Sequence, residues 1–290
     1  MRRPRAAVGL ALVALVGLAA CAPEPEPEAV VTVEGEIGFP PELSFDVPLA
    51  VTEPSVEVIS EGTGPEVADG RAVLVDYYAE SGADRSLIGE TFSSEPKPYL
   101  LSADALGLDL YQGLRGQRVG SRVLQLVPGV DGAASTVAVF DILPTRAWGE
   151  PVDPREGLPI VELDADGAPT ITLPQTEPPA QAVVQPLLRG DGPQVTAGQI
   201  VTVQFTGVTW TDGAVFDTSW GPDDLPTSFP IGVGTLIEGW DAGLVEQTVG
   251  SQVLLIIPPA LGFGGESELA DQTLVFVVDI LAASGGPEAG

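Results

Sequence analysis

The sequence predicts an α+β protein made of two copies of one domain, each an antiparallel β-sheet wrapped on one short helix. Three observations predict it. First, the chain repeats itself: EGTGPEVADG at 61–70 answers RGDGPQVTAG at 189–198, an offset of 128 positions. GLRGQRVGSRVLQLVP at 113–128 answers GLVEQTVGSQVLLIIP at 243–258, nine of sixteen residues being identical. Second, each copy is dominated by strand patterns. Segment 200–207 alternates, with Val201, Val203 and Phe205 on one face, while 252–257 and 273–280 are longer apolar runs rich in Val, Ile and Phe. Third, the helical period occurs once, over 236–247, where Ile237, Trp240 and Leu244 fall at i, i+3 and i+7.

Composition narrows the chemistry. The 290 residues, 44% hydrophobic, suffice for two cores. With 41 acidic residues against 12 basic, the net charge is −29, and a polyanion repels phosphate backbones, so nucleic acid is not an expected partner. Histidine is absent and cysteine occurs once, which excludes Ser-His-Asp triads, Cys-His pairs and His-containing zinc sites. Carboxylate, hydroxyl and backbone chemistry remain, and no cofactor or metal is expected. Asp212, Asp217, Asp223 and Asp224 are the acids a metal-dependent hydrolase would use. They flank Gly213, Gly221 and Pro222, however, and aspartate is common beside such residues for turn chemistry alone.

Taken in order, residues 1–20 read as an export signal: the basic MRRPR, an apolar stretch of 15 residues at 6–20, then Cys21. That stretch is short of the roughly 20 residues a membrane-spanning helix needs. Leu18-Ala19-Ala20-Cys21 resembles the bacterial lipobox, which implies lipidation at Cys21 and a chain anchored to the outer face of the cell membrane. An ordinary secretory peptide with an incidental cysteine is the alternative. Segment 21–50 opens on APEPEPEAV and reads as a Pro/Glu-rich spacer. The first domain is expected over 51–146. A Pro-rich linker follows at 147–180, whose alternating PIVEL and TITL suit short edge strands, with Asp166-Gly167 as a turn. The second domain occupies 181–283 and a short tail 284–290. The copies differ before their last strand: 11 positions separate Pro128 from Val139, against 19 between Pro258 and Val277. Whatever that loop contributes belongs to the second copy.

In the second copy QFTG (204–207), VFDTS (215–219), SFPIG (228–232), LIEGWDAGL (236–244), VGSQVLLIIPP (249–259), GFG (262–264) and TLVFVVDIL (273–281) follow one another in the order, and near the spacing, of the FKBP-type peptidyl-prolyl cis-trans isomerases. The resemblance implies an apolar bowl that receives a proline segment. Its floor would be Trp240, and its walls Phe205, Phe216, Phe229, Leu236, Ile237, Phe263, Leu269 and Phe276. Asp217 would stand at the rim beside Phe205, and the Ile237 N–H would hold the carbonyl preceding the proline. Aromatic residues at strand spacing also suit plain core packing, Phe229 and Phe276 above all. The family often has tyrosine where this chain has Phe205 and Phe263. The first phenol usually pairs with the aspartate and the second reaches a substrate carbonyl, so their loss implies a weaker isomerase. The loop GGESELADQ is also shorter than the family's usual flap.

The first copy departs further. TFSS at 91–94 sets Ser93 in the aspartate's place, Leu110 falls where the floor tryptophan is expected, and no GFG-like aromatic survives. A similar fold without isomerase activity is expected there. The resulting reading is an isomerase acting on proline-containing segments of exported, unfolded proteins. The alternative is a lipoprotein that binds peptides, as a chaperone does, without catalysis.

Overall fold

The computed structural model describes residues 30–286. The signal segment, Cys21 and the end of the tail lie outside them.

A hairpin comes first: β1 (Thr32–Glu34) pairs with β2 (Glu42–Ser44). The first domain is built from β3 (Ser55–Ser60), β4 (Ala72–Ser81), β5 (Leu87–Glu90), β6 (Lys97–Leu100), α1 (Ala103–Leu106), α2 (Leu108–Leu114), β7 (Arg122–Val127) and β8 (Thr136–Leu143). The sheet runs β3-β7-β8-β4-β5, with β6 pairing the other half of β4. Its helical segment is two short helices parted at Gly107, not one, since Gly107 adopts a positive φ of 75° that ends α1.

Next come β9 (Glu150–Pro151), β10 (Ile160–Leu163) and β11 (Pro169–Thr172). The second domain then comprises β12 (Val183–Arg189), β13 (Ile200–Thr209), β14 (Val215–Thr218), β15 (Thr227–Pro230), α3 (Glu238–Leu244), β16 (Gln252–Ile257), a short 3₁₀ turn at Pro259–Leu261, and β17 (Leu274–Ser284). Its sheet runs β9-β12-β16-β17-β13-β14, with β15 again on the long strand β13. Apart from β9, the two sheets share one strand order.

The duplication extends beyond the two sheets. In β1–β2 Val33 faces Leu43, and in β10–β11 Val161 faces Ile171, the same register displaced by the same 128 positions. Each hairpin lies on the outer face of its domain's sheet, away from the helix. Leu43 and Phe45 cover Leu124, Leu126, Val137 and Val139, while Val161, Ile171 and Leu173 cover Leu254, Ile256, Val275 and Val277. This third layer explains the apolar runs: β17 sends Leu274, Phe276 and Val278 toward the helix and Val275 and Val277 toward the hairpin, so both faces are dry. Residues 32–44, expected as spacer, are therefore part of the first folded unit. PIVEL and TITL pair with each other over the sheet, and within the linker the sheet's edge strand is β9.

A buried polar pair sits under each attachment. In the first domain Arg122 and Asp141 are cross-strand neighbours, 2% and 0% exposed, joined by bonds of 2.6 and 2.7 Å. The guanidinium also donates to the carbonyls of Gly35, Glu36 and Phe39, and Asp141 accepts from the Gly38 N–H at 2.8 Å. These bonds grip the β1–β2 turn. Gln252 and Asp279 occupy the matching places in the second domain. Asp279 accepts from Gln252 Nε2 at 2.8 Å and from the Ala147 N–H at 2.7 Å, tying the exit of one domain to the sheet of the next. Without a bonded cation, burial pushes the Asp279 carboxyl up to about 6.

Candidate functional site

The site lies on the helix side of the second sheet. Phe205 comes from β13, Phe216 and Asp217 from β14, Phe229 from β15, Trp240 from α3 and Phe276 from β17. Leu236 and Ile237 lie on the approach to α3, with Phe263 and Leu269 on the loop before β17. Apart from Asp217, all of them share one apolar cluster. Phe205, Trp240 and Phe276 are buried, while Phe216, Phe229, Leu236, Ile237, Phe263 and Leu269 are partly open to solvent.

Ring geometry gives the cluster its shape. The rings of Phe205, Phe229 and Phe276 stand at 88°, 85° and 84° to the Trp240 indole, with centroids 5.3, 5.7 and 5.4 Å away. Phe216 stands upright against Phe276 at 5.4 Å and against Phe263 at 6.3 Å. Edge-to-face contact is the favoured aromatic arrangement, and here it sets several rings upright around one floor. Trp240 is 5% exposed, and its indole N–H meets no acceptor among the described residues.

Three glycines make this possible. A Cβ on Gly207 would lie 2.6 Å from Phe216 and 2.8 Å from Phe276, so only glycine leaves room for both walls. On α3, a Cβ at Gly239 or Gly243 would collide with Ile257 or Leu255 at 2.5 and 2.7 Å. The helix thus seats directly on β16 and brings Trp240 down to the sheet. The expected helix over 236–247 is shorter in the structure because Ile237, extended at φ −60° and ψ 142°, caps it, and Val245, extended likewise, ends it. Ile237 accepts from the Trp240 N–H at 2.9 Å, while its own N–H donates to no group among the described residues. One unspent donor therefore stands beside the aromatic walls.

Sequence reasoning missed Asp241. Its two oxygens accept from the N–H groups of Gly232 and Gly234, both at 2.7 Å, fixing the loop that delivers Leu236 and Ile237. Both glycines have positive φ, 72° and 78°. A carboxylate in the first turn of a helix preceded by GVG was the available signal.

Asp217 is exposed on β14 opposite Gly207 and meets no donor among the described residues. Its neighbours are better tied. Ser219 accepts from the Phe205 N–H at 2.9 Å and returns its own N–H to the Phe205 carbonyl at 3.0 Å. Of the other acids, Asp212 accepts from the Thr209 hydroxyl and the Ala214 N–H, which hold its carboxyl below the usual range. Asp224 accepts from the Gly221 N–H. Both serve turns.

The first domain allows a position-by-position comparison and corrects one expectation. Thr91 bonds Tyr77 as Ser219 bonds Phe205, at 2.9 and 3.0 Å. Both edge strands carry a bulge at the same place, Gly89 facing Ala79 where Asp217 faces Gly207. The counterpart of Asp217 is therefore Gly89, not Ser93, which bonds to Glu90. Tyr77 occupies the place of Phe205, Tyr99 of Phe229, Ile88 of Phe216, Ala138 of Phe276 and Leu110 of Trp240. An ideal Cβ on Gly89 would lie 3.2 Å from the Tyr77 hydroxyl. The first copy keeps the phenol and lacks the acid, whereas the second keeps the acid and lacks the phenol.

Comparison with known proteins agrees with this geometry. Residues 192–281 match the family described as FKBP-type peptidyl-prolyl cis-trans isomerase. An FK506-binding protein of Streptomyces anulatus is 40% identical over 119 residues, covering 39% of this chain and 95% of that protein. A probable FK506-binding protein of Corynebacterium glutamicum is 34% identical over 118 residues, covering 40% of this chain and 98% of the other. The human peptidyl-prolyl cis-trans isomerase FKBP14 is 35% identical over 94 residues, 31% of this chain and 44% of that protein. With relatives matched over nearly their whole length, and with the fold of that domain present twice, the chain belongs to the FKBP-type peptidyl-prolyl cis-trans isomerases.

Proposed function

We propose that the second domain isomerises X-Pro bonds in proteins that fold outside the cytoplasm, the chain being held at a membrane by acyl groups on Cys21. The observation that carries the catalytic part is the set of upright aromatic walls around Trp240 with the free Ile237 N–H beside them.

Rotation about an amide costs about 18–20 kcal/mol because resonance is lost at the twist, and uncatalysed prolyl isomerisation takes roughly 10–100 s. A twisted amide is less polar than a planar one. An apolar bowl with a single fixed donor therefore binds it better than water does, and that difference in binding is the catalysis. In this reading the proline ring rests on Trp240 between Phe205, Phe216, Phe229 and Phe276, with Leu236, Phe263 and Leu269 closing the sides. The Ile237 N–H holds the carbonyl preceding the proline. Asp217 orients the rim and transfers no proton.

Exchange NMR on an X-Pro peptide with the detergent-solubilised chain tests the reaction. Accelerated cis-trans exchange is expected, and a rate equal to the uncatalysed one would overturn it. The missing hydroxyls at Phe205 and Phe263 favour a second reading, a peptide-binding module with little catalysis. It predicts line broadening from binding without faster exchange. For the anchor, palmitate labelling of the expressed chain should vanish in Cys21→Ala. Labelling unaffected by that change would remove Cys21 from the proposal.

A further inference from the structure

Beyond the bowl, we propose that the cleft between the two domains is a second binding site, for the cationic stretch of an unfolded client polypeptide that flanks the bound proline. The inference rests on the isomerase reading above and deepens it.

The cleft measures about 650 Å³ and is walled by both domains, their junction and the β10–β11 turn. That volume falls among those of ligand-binding clefts, roughly 300–1,000 Å³. Relatives consisting of little more than one such domain do not have two domains to form it.

Its position follows from the strand at the bowl's rim. Asp217 belongs to β14, and Trp220, three residues on, forms part of the cleft wall. Three residues of chain span at most about 11 Å, so the rim at Asp217 and the cleft wall at Trp220 lie within that distance of each other. A client whose proline sits on Trp240 and whose chain leaves the bowl over the Asp217 rim therefore runs toward the cleft.

Charge and aromatic content select the occupant. Arg71 is paired with Asp166, while Arg146 donates to the Ala165 carbonyl and keeps its charge in the cleft. Glu66, Asp164 and Asp224 also line the space and outnumber that cation; Asp164 and Asp224 each accept backbone N–H bonds of their own turns, and none of the three pairs with a cation of the chain among the described residues. Trp148 and Trp220 add two indoles, Trp148 being 42% exposed. Carboxylates and indole faces together suit lysine and arginine side chains, through Coulomb attraction and cation–π contact. The chain's overall charge of −29 draws the same clients in from a distance.

The test compares peptides on the full detergent-solubilised chain: a proline tetrapeptide, and longer peptides with neutral, lysine or glutamate residues on either side of a central proline. On one flank the lysine peptide should show a KM about tenfold below its neutral counterpart, as two charge or cation–π contacts provide. Raising the salt to about 0.5 M should erase the difference. Glu66→Lys, an exposed change, and Trp220→Ala should each raise the KM of the lysine peptide and leave kcat/KM for the tetrapeptide unchanged. Equal KM values for the three charge series, or variants that affect short and long substrates alike, would overturn the inference. If the wild-type chain does not turn over the tetrapeptide, the isomerase reading is what fails. Anisotropy of a labelled lysine peptide then decides the cleft separately: binding weakened by Glu66→Lys supports it, and unchanged binding refutes it.

Discussion

The two domains share a strand order, a hairpin layer and a bulge, and differ in what fills equivalent positions. Where the second has Trp240, Phe216 and Phe276, the first has Leu110, Ile88 and Ala138. Gly207, which admits two rings, is matched by Ala79, where no rings need admitting. On the outer face the difference is reversed. The first domain grips its hairpin with the Arg122–Asp141 pair, and the second has only Gln252 and Asp279. The backbone plan tolerates either filling. Wall and floor residues decide which copy can hold a proline, and the pair beneath the sheet decides how the preceding segment is attached.

Exchanging residues between the copies tests this division, and the largest effect is expected at Arg122. Arg122→Gln installs the second domain's residue and leaves Asp141 buried without a cation. Breaking such a pair costs about 3–5 kcal/mol. Urea unfolding of the first domain should shift accordingly, and amides of 32–44 should lose hydrogen-exchange protection. Full protection in the variant would mean that apolar contacts alone hold the hairpin.

At Asp279 the dependence on pH has a definite sign. Its carboxyl titrates at about 6 when folded against 3.8 as the reference value, so protonation favours the folded state. That contribution is complete below about 3.8 and is lost as the pH rises through about 6. The shift corresponds to on the order of 3 kcal/mol. As the pH falls from about 7 to about 5, the wild type should gain stability relative to Asp279→Asn. A constant difference between the two would show that Asp279 titrates normally.

Much of this was legible in the chain. The repeat was visible because Gly, Pro and strand residues recur at fixed spacing, and the walls because aromatic residues stood within recognisable landmarks. The hairpins were not. TVE at 32–34 and IVE at 160–162 are three-residue strands beside Pro-rich sequence, and what they preserve is apolar class and register, which few identical letters record. The letters set Ser93 against Asp217 because TFSS resembles VFDT, with Phe92 matching Phe216. The bulge skips Ile88 and Phe216, so the ladder aligns Gly89 with Asp217 instead. Asp241 escaped notice because its role is to hold two backbone N–H groups, and its adjacency to them arises only when the loop folds back.

The floor offers the next exchange. Trp240→Leu copies the first domain and removes three ring contacts, each worth about 0.5–1.5 kcal/mol. If they act on the twisted amide, kcat/KM for an X-Pro peptide should fall about 100-fold while circular dichroism stays unchanged. A folded variant with full activity would remove Trp240 from the floor.

The smallest and most informative change restores the divided pair. Phe205→Tyr should place a hydroxyl where Tyr77 has one, within reach of the carboxylate at 217, because the corresponding Cβ position in the first domain lies 3.2 Å from the Tyr77 oxygen. One hydrogen bond contributes about 0.5–1.5 kcal/mol, so kcat/KM should rise by up to about tenfold. The gain should disappear in an Asp217→Ala background, since it requires both partners. Gly89→Asp builds the same pair from the other side. It should raise the stability of the first domain slightly and give no isomerase activity, because Leu110 still forms the floor. An equal gain from Phe205→Tyr with and without Asp217 would mean that the phenol acts on the substrate directly, and that the exposed carboxylate at the rim has a role outside this pair.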